Sequence, residues 1–228
     1  MKTALALTIL VSSIASAQET PAPTAAPSTV TASTGRIRWG LSGNGGWHFP
    51  QPALSLGTEG RIGYQINSMF GAYATLGGLF GFGFGGSASA TGATASVTAF
   101  SRWYIGAIAE LLVSDLFFVG AGPVFANGGF AGVTASANPD GVGGAVFAHG
   151  GPSVGLDVRL GLQLGRQPDG AGTRKSGFSL GLSAMTLFHP NTAVVRTQAG
   201  MDGGRVDVST TELMVTVTPM LMLGYDWR

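Results

Sequence analysis

Several groups of residues in this 228-residue chain have the types and spacing to do chemistry. The segment His149-Gly150-Gly151-Pro152-Ser153, followed by Asp157, holds the three residue types of a base-activated nucleophile. Such a nucleophile needs its base within hydrogen-bond reach and a third group to orient that base. A Gly-Gly-Pro spacer fits a loop-to-strand corner and fixes no such geometry, so no catalytic residue is assigned and the chain is read as a non-enzyme. The run Gly81-Phe82-Gly83-Phe84-Gly85-Gly86 has the glycine content of a phosphate-cradling loop. No helix pattern follows it and its phenylalanines keep a period of two, which argues against a nucleotide site. His48, His149 and His189 fall in predicted loops or rims with no carboxylate string beside them, so neither a metal nor a cofactor is implied. The remaining set is Arg36, Arg38, Arg61, Arg102 and Arg159 with Glu59, Glu110, Asp157, Glu212 and Asp226, five cations against five anions. Arginine and carboxylate do one thing well together, which is forked pairing in a place with little water.

The elements that must hold these residues follow from composition. Charged residues are 10% of the chain, against about 25% in an ordinary soluble domain. With 38 glycines, no cysteine and 9% aromatics, neither a disulfide scaffold nor a cysteine metal site is available. Lys2, the apolar run Ala4–Val11 and Ala15-Ser16-Ala17 have the layout of a cleaved secretory signal peptide over residues 1–17. Its removal leaves 11 basic and 11 acidic residues, a neutral chain with no basic excess for nucleic acid. Residues 18–34 are a Pro/Thr/Ala/Ser linker with too little apolar surface to order itself. Residues 35–228 are uniform in composition and read as one domain.

No stretch of about 18 apolar residues follows the leader, which argues against spanning helices. Period-two segments occur instead over Arg36–Gly43, Ala53–Ile66, Met69–Gly85, Thr94–Val113, Leu116–Phe125, Val154–Gly165, Phe178–Phe188 and Glu212–Arg228. Each approaches the roughly 9–11 residues that a tilted transmembrane strand needs. Asn67-Ser68, Ser114-Asp115 and Arg166–Gly177 read as turns; Asn44–Pro52, Gly86–Ala93, Ala126–Gly151 and His189–Thr211 read as loops. Turns and loops alternate along the chain, which predicts an all-β, antiparallel, up-and-down barrel of eight strands. Ala126–Gly151 could be a mobile loop or a β-ribbon; His189–Thr211, with Arg196, Asp202, Arg205 and Asp207, is the more polar contact surface.

Alternation alone fits a soluble lipocalin-like barrel with its faces reversed. The charges decide between them. All cations on the polar faces are Arg, Lys is absent between Lys2 and Lys175, and the signs balance, as a closed interior requires. Leu, Val, Phe and Trp then face lipid, and the Arg/acid set fills the lumen.

The leader, the alternating segments and the terminal strand Leu221-x-Leu223-x-Tyr225-x-Trp227 resemble the small eight-stranded bacterial outer-membrane barrels of the OmpA/OmpX/opacity type. The resemblance is architectural and covers roughly residues 35–228. It implies a cell outer-membrane location, outer-membrane lipids around the barrel, and recognition of that last strand by the barrel-assembly machinery. The chain departs from the family pattern in that Trp227 is penultimate and Arg228 follows. The resulting expectation is a barrel with a charge-paired, plugged lumen, since an eight-strand interior is about filled by side chains. Its surface loops then serve a structural or adhesion-like role toward an unidentified ligand. A narrow small-solute pore is the alternative, and an outer-membrane lipid-modifying enzyme the weaker third.

Overall fold

The computed structural model describes residues 36–50, 52–67, 69–113, 116–138, 141–165, 176–199 and 205–227. Among these, the side chains of Arg36, Asn138, Phe147 and residues 191–199 and 205–213 are outside the description. The expected leader and linker, and turn residues Ser68, Ser114, Asp115 and 166–175, also lie outside the described residues.

Eight strands follow in order: β1 (Arg36–His48), β2 (Ala53–Gln65), β3 (Phe70–Ser89), β4 (Gly92–Val113), β5 (Phe117–Asn138), β6 (Gly141–Gly165), β7 (Gly177–Ala199) and β8 (Arg205–Trp227). Each pairs antiparallel with the next, and β8 returns to β1, so the sheet closes on itself. Closure satisfies the backbone internally, which is what a sheet surrounded by hydrocarbon requires. Tracing the register once around from Gly40 gives Arg61, Thr75, Gly106, Val124, Gly155, Leu187 and Thr216. Thr216 lies ten residues from Asp226, the partner of Gly40 on β8. A stagger of that size over eight strands tilts them by about 40° and leaves a bore that side chains can fill.

The alternation locates every strand but stops them short. The segment read as the loop Gly86–Ala93 is strand apart from Ala90-Thr91, with Ser89 paired to Gly92. Ala126–Gly151 is a ribbon, paired from Ala126↔Ser153 out to Asn138↔Gly141. β7 and β8 continue to the Gln198↔Arg205 pair, and β1 runs through Asn44 to His48. The extended parts are rich in Gly, Ala, Ser, Thr and Val, which hold a ladder through the backbone without showing hydropathy alternation. The barrel is therefore uneven at this ribbon end. The β1–β2 hairpin stops at His48 and Ala53, while β3 through β8 continue past it. Between Ala148 and Val154 the β6–β7 register shifts, and Gly151 there has φ +137°. A bulge that needs this backbone conformation favours glycine over any residue with a Cβ.

The faces sort as the charges predict. Leu41, Ile62, Leu76, Val119, Leu160, Leu182 and Leu223 stand exposed on the outside. Two aromatic girdles border this belt. Tyr64, Phe70, Phe117 and Phe178 lie at the turn end; Trp47, Phe80, Phe82, Trp103, Phe125 and Phe188 lie nearer the ribbons. At the β1–β8 seam Trp39 stacks on Trp227 at 4.4 Å between ring centroids, and Tyr225 meets Trp227 edge-on at 4.9 Å. An apolar belt between aromatic girdles around a closed barrel is the exterior of a membrane-spanning β-barrel, and a water-facing surface would not expose it.

Candidate functional site in the barrel lumen

Inward positions on neighbouring strands come level with one another, so the charged residues meet in the turn-end half of the bore. Two networks form. In the first, Arg159 on β6 donates to both oxygens of Glu59 on β2, Nη1 to Oε1 at 2.6 Å and Nη2 to Oε2 at 2.5 Å. β2 and β6 are diametrically opposite in an eight-strand ring, so this forked pair crosses the whole bore. Arg159 also donates through Nε to Asp157 Oδ2 at 2.8 Å, and the Ser183 hydroxyl of β7 donates to Asp157 Oδ1 at 2.7 Å. The Tyr104 hydroxyl donates to Glu59 Oε2 at 3.0 Å and accepts from Asn44 Nδ2 at 3.4 Å. Tyr104 can reach Glu59 because its ring lies across Gly77, where a Cβ would collide with the ring itself.

The second network lies closer to the turns. Arg61 on β2 forks onto Asp226 on β8, Nε to Oδ1 at 2.7 Å and Nη2 to Oδ2, and its Nη1 sits 3.5 Å from Glu110 Oε2. Gln163 Nε2 donates to Asp226 Oδ2 at 3.0 Å, and Arg38 Nη2 lies 3.6 Å from the same oxygen. Arg38 Nη1 donates to Gln65 Oε1 at 3.0 Å, and the Arg61 guanidinium sits 5.4 Å from the Tyr73 ring centroid. All of these side chains are nearly or fully buried. Removing one partner of such a pair leaves an uncompensated charge, at a cost of about 3–5 kcal/mol.

Of the ten charged residues expected in the lumen, Arg38, Glu59, Arg61, Glu110, Asp157, Arg159 and Asp226 come together in these networks. Arg36 and Glu212 have side chains outside the described residues. Arg102 departs from the expectation. It faces inward but stands eight residues along β4 from Glu110, with no ion pair among the described residues. Leu221, Leu223, Tyr225 and Trp227 all point outward along β8.

The histidines correct the sequence reading. His48, His149 and His189 sit in no loop; all three are buried on inward faces of β1, β6 and β7. Strand pairing continues past the end of the hydropathy alternation, and that carries these positions into the bore. His48 Nδ1 lies 3.0 Å from Thr218 Oγ1, and His189 Nε2 lies 2.9 Å from Thr216 Oγ1. The suspected nucleophile set does not assemble. His149 and Ser153 are four residues apart along one strand, about 13 Å at the strand rise. Ser153 Oγ donates to the Ala126 carbonyl, and Asp157 is held by Arg159 and Ser183. No group of three His, Cys, Asp or Glu among the described residues is placed to hold a metal ion.

The interior also holds large apolar side chains that the sequence reading did not find. Leu79, Phe100, Phe130, Met185, Leu187 and Met220 cluster above the first network, and Leu112, Phe118 and Met222 form a second group. Reading apolar as lipid-facing hid them. The signal was parity: Phe100 is two residues from Arg102, and Met222 four from Asp226, so each shares a face with a charge.

No protein-family model matches the chain, and no curated protein sequence matches it. Among solved structures, Ail, the attachment invasion locus protein of Yersinia pestis in complex with the heparin analogue sucrose octasulfate, aligns over 85% of this chain and 97% of its own. The TM-score is 0.33 and the identity 13%. A second structure of Ail gives a TM-score of 0.28 at 15% identity over the same shares of the two chains. OmpF of Salmonella typhi with daunomycin aligns over 86% of this chain and 98% of its own, at 8% identity and a TM-score of 0.15.

Proposed function

We propose that this chain is a non-enzymatic outer-membrane barrel whose bore is a braced plug and whose working surface is the ribbon end. One observation carries the reading: the forked Glu59–Arg159 pair joins opposite walls of the barrel. Supporting it are the second network beneath and the Leu112/Phe118/Met222 cluster, which together fill the turn-end half. The apolar belt takes outer-membrane lipid, and the turn end is periplasmic by the usual asymmetry of turns and loops. The last strand, with Leu221, Leu223, Tyr225 and Trp227, is the segment offered to the assembly machinery. The ribbons of β3–β8 then stand outside the cell as a rigid scaffold for a structural or adhesion-like contact.

Two measurements test this. The mature protein is expected in the outer-membrane fraction, migrating compactly on a gel until boiled; recovery from the soluble periplasm without a shift would refute the membrane assignment. Refolded protein in planar bilayers is expected to be electrically silent. Steady ohmic steps that change on Arg61→Gln or Arg159→Gln would overturn the plug in favour of a narrow pore.

A further inference from the structure

The ribbon-end half of the bore holds a buried guanidinium that no described carboxylate pairs. Arg102 is 6% exposed, its Nη1 has no hydrogen-bond partner, and no carboxylate pairs with it among the described residues. Guanidinium stays protonated, and a buried unpaired charge is costly, so its surroundings have to answer it. Three buried imidazoles share its half of the bore. His48, His149 and His189 all lie near enough to feel the charge of Arg102. His48, with Nδ1 against Thr218, keeps a buried Nε2 without a partner, and His149 Nε2 is likewise unpartnered. The rings are held in place: His48 packs on Phe100 at 4.7 Å, and His149 stacks on Phe130 at 5.1 Å. Phe100 and Phe130 in turn lie parallel at 6.4 Å.

From these contacts we infer that Arg102, His48 and His149 form a binding site for a small oxyanion, of the size of sulfate or phosphate, in the ribbon-end half of the lumen. Each of the three groups can present an N–H, and an oxyanion accepts from all of them while neutralising the guanidinium. Carboxylates answer the arginines of the other half; among the described residues none pairs with Arg102, so the anion comes from solution. The site faces the bore and is walled from lipid by the strands, which selects a soluble anion over a lipid headgroup. The inference holds whether or not the bore conducts.

The test uses the full mature chain refolded in a phosphate-free, uncharged detergent, titrated with sodium sulfate at constant ionic strength. Imidazole ¹H–¹⁵N shifts of His48 and His149 report binding. The expected result is saturable movement of both rings, weakened at least tenfold in Arg102→Gln and only partly in Arg102→Lys. Linear, non-saturating shifts, or equal saturation in Arg102→Gln, would overturn the site. If Arg102→Gln does not refold, His149→Phe replaces it, keeping the stack on Phe130 but lacking the ring N–H. Affinity is then expected to fall at least threefold, and unchanged affinity overturns the proposal. Doping the micelles with phosphatidylglycerol instead of sulfate is expected to leave both rings unmoved; saturation by the lipid would overturn the assignment to a soluble anion.

Discussion

The two halves of the lumen are lined by the same rule and filled by different chemistry. In the turn-end half Arg38, Arg61 and Arg159 each lie beside a carboxylate from another strand or a near neighbour, and the Arg159–Glu59 pair bridges the bore. In the ribbon-end half Arg102 lies among histidines and phenylalanines, with no carboxylate paired to it among the described residues. Strand parity alone turns both sets inward. What differs is whether the opposing strand offers a partner, and that decides between a brace and a binding layer.

The sharpest separation of the halves comes from neutralising one arginine in each. Arg159→Gln strips Glu59 and Asp157 of their shared cation at once, and a loss of about 3–5 kcal/mol is expected in urea unfolding from detergent or vesicles. The next effect in size asks whether the inside–outside alternation is as strict as the contacts imply. Val158 is adjacent to Asp157 on β6 but faces lipid. Val158→Arg is expected to cost about 2–4 kcal/mol in a bilayer, a penalty that falls when the same variant unfolds from a short-chain detergent. A smaller loss belongs to the seam. Trp227→Ala removes the stack on Trp39 and the edge contact with Tyr225, for about 1–2 kcal/mol and a slower appearance of the compact gel band. Smallest of all is Arg102→Gln in buffer without multivalent anions. With no described carboxylate left behind and an uncompensated buried charge removed, no loss of stability is expected, and any change is a gain. A loss matching that of Arg159→Gln would erase the distinction between the halves.

Much of the turn-end half was legible in the sequence because lipid imposes alternation on every strand that crosses it. Arg61, Glu59, Asp157 and Asp226 could be placed on inward faces by counting from neighbouring leucines and valines. Which arginine meets which carboxylate was not legible. The Glu59–Arg159 pair depends on a stagger summed over the whole ring, and no local pattern encodes that sum. The ribbon-end half was harder for a different reason. Past the girdle the strands leave hydrocarbon, so Ala126–Asn138 and Gly141–Gly151 could be built from small residues without alternation, and they read as a loop with a β-ribbon as the alternative. His149 and Phe130 were hidden with them. His48 lay six residues beyond Ser42, the last inward position of the first strand's alternating segment, and extending that even-numbered parity would have turned it inward.

A double-mutant cycle on Glu59 and Arg159 tests the brace most directly. Unfolding free energies are measured for wild type, Glu59→Gln, Arg159→Gln and the double variant in one detergent. A pair that crosses the bore predicts a coupling of at least ~2 kcal/mol, with the double variant more stable than the sum of the two losses allows. Additive losses, with coupling near zero, would mean that the two side chains do not hold each other across the barrel.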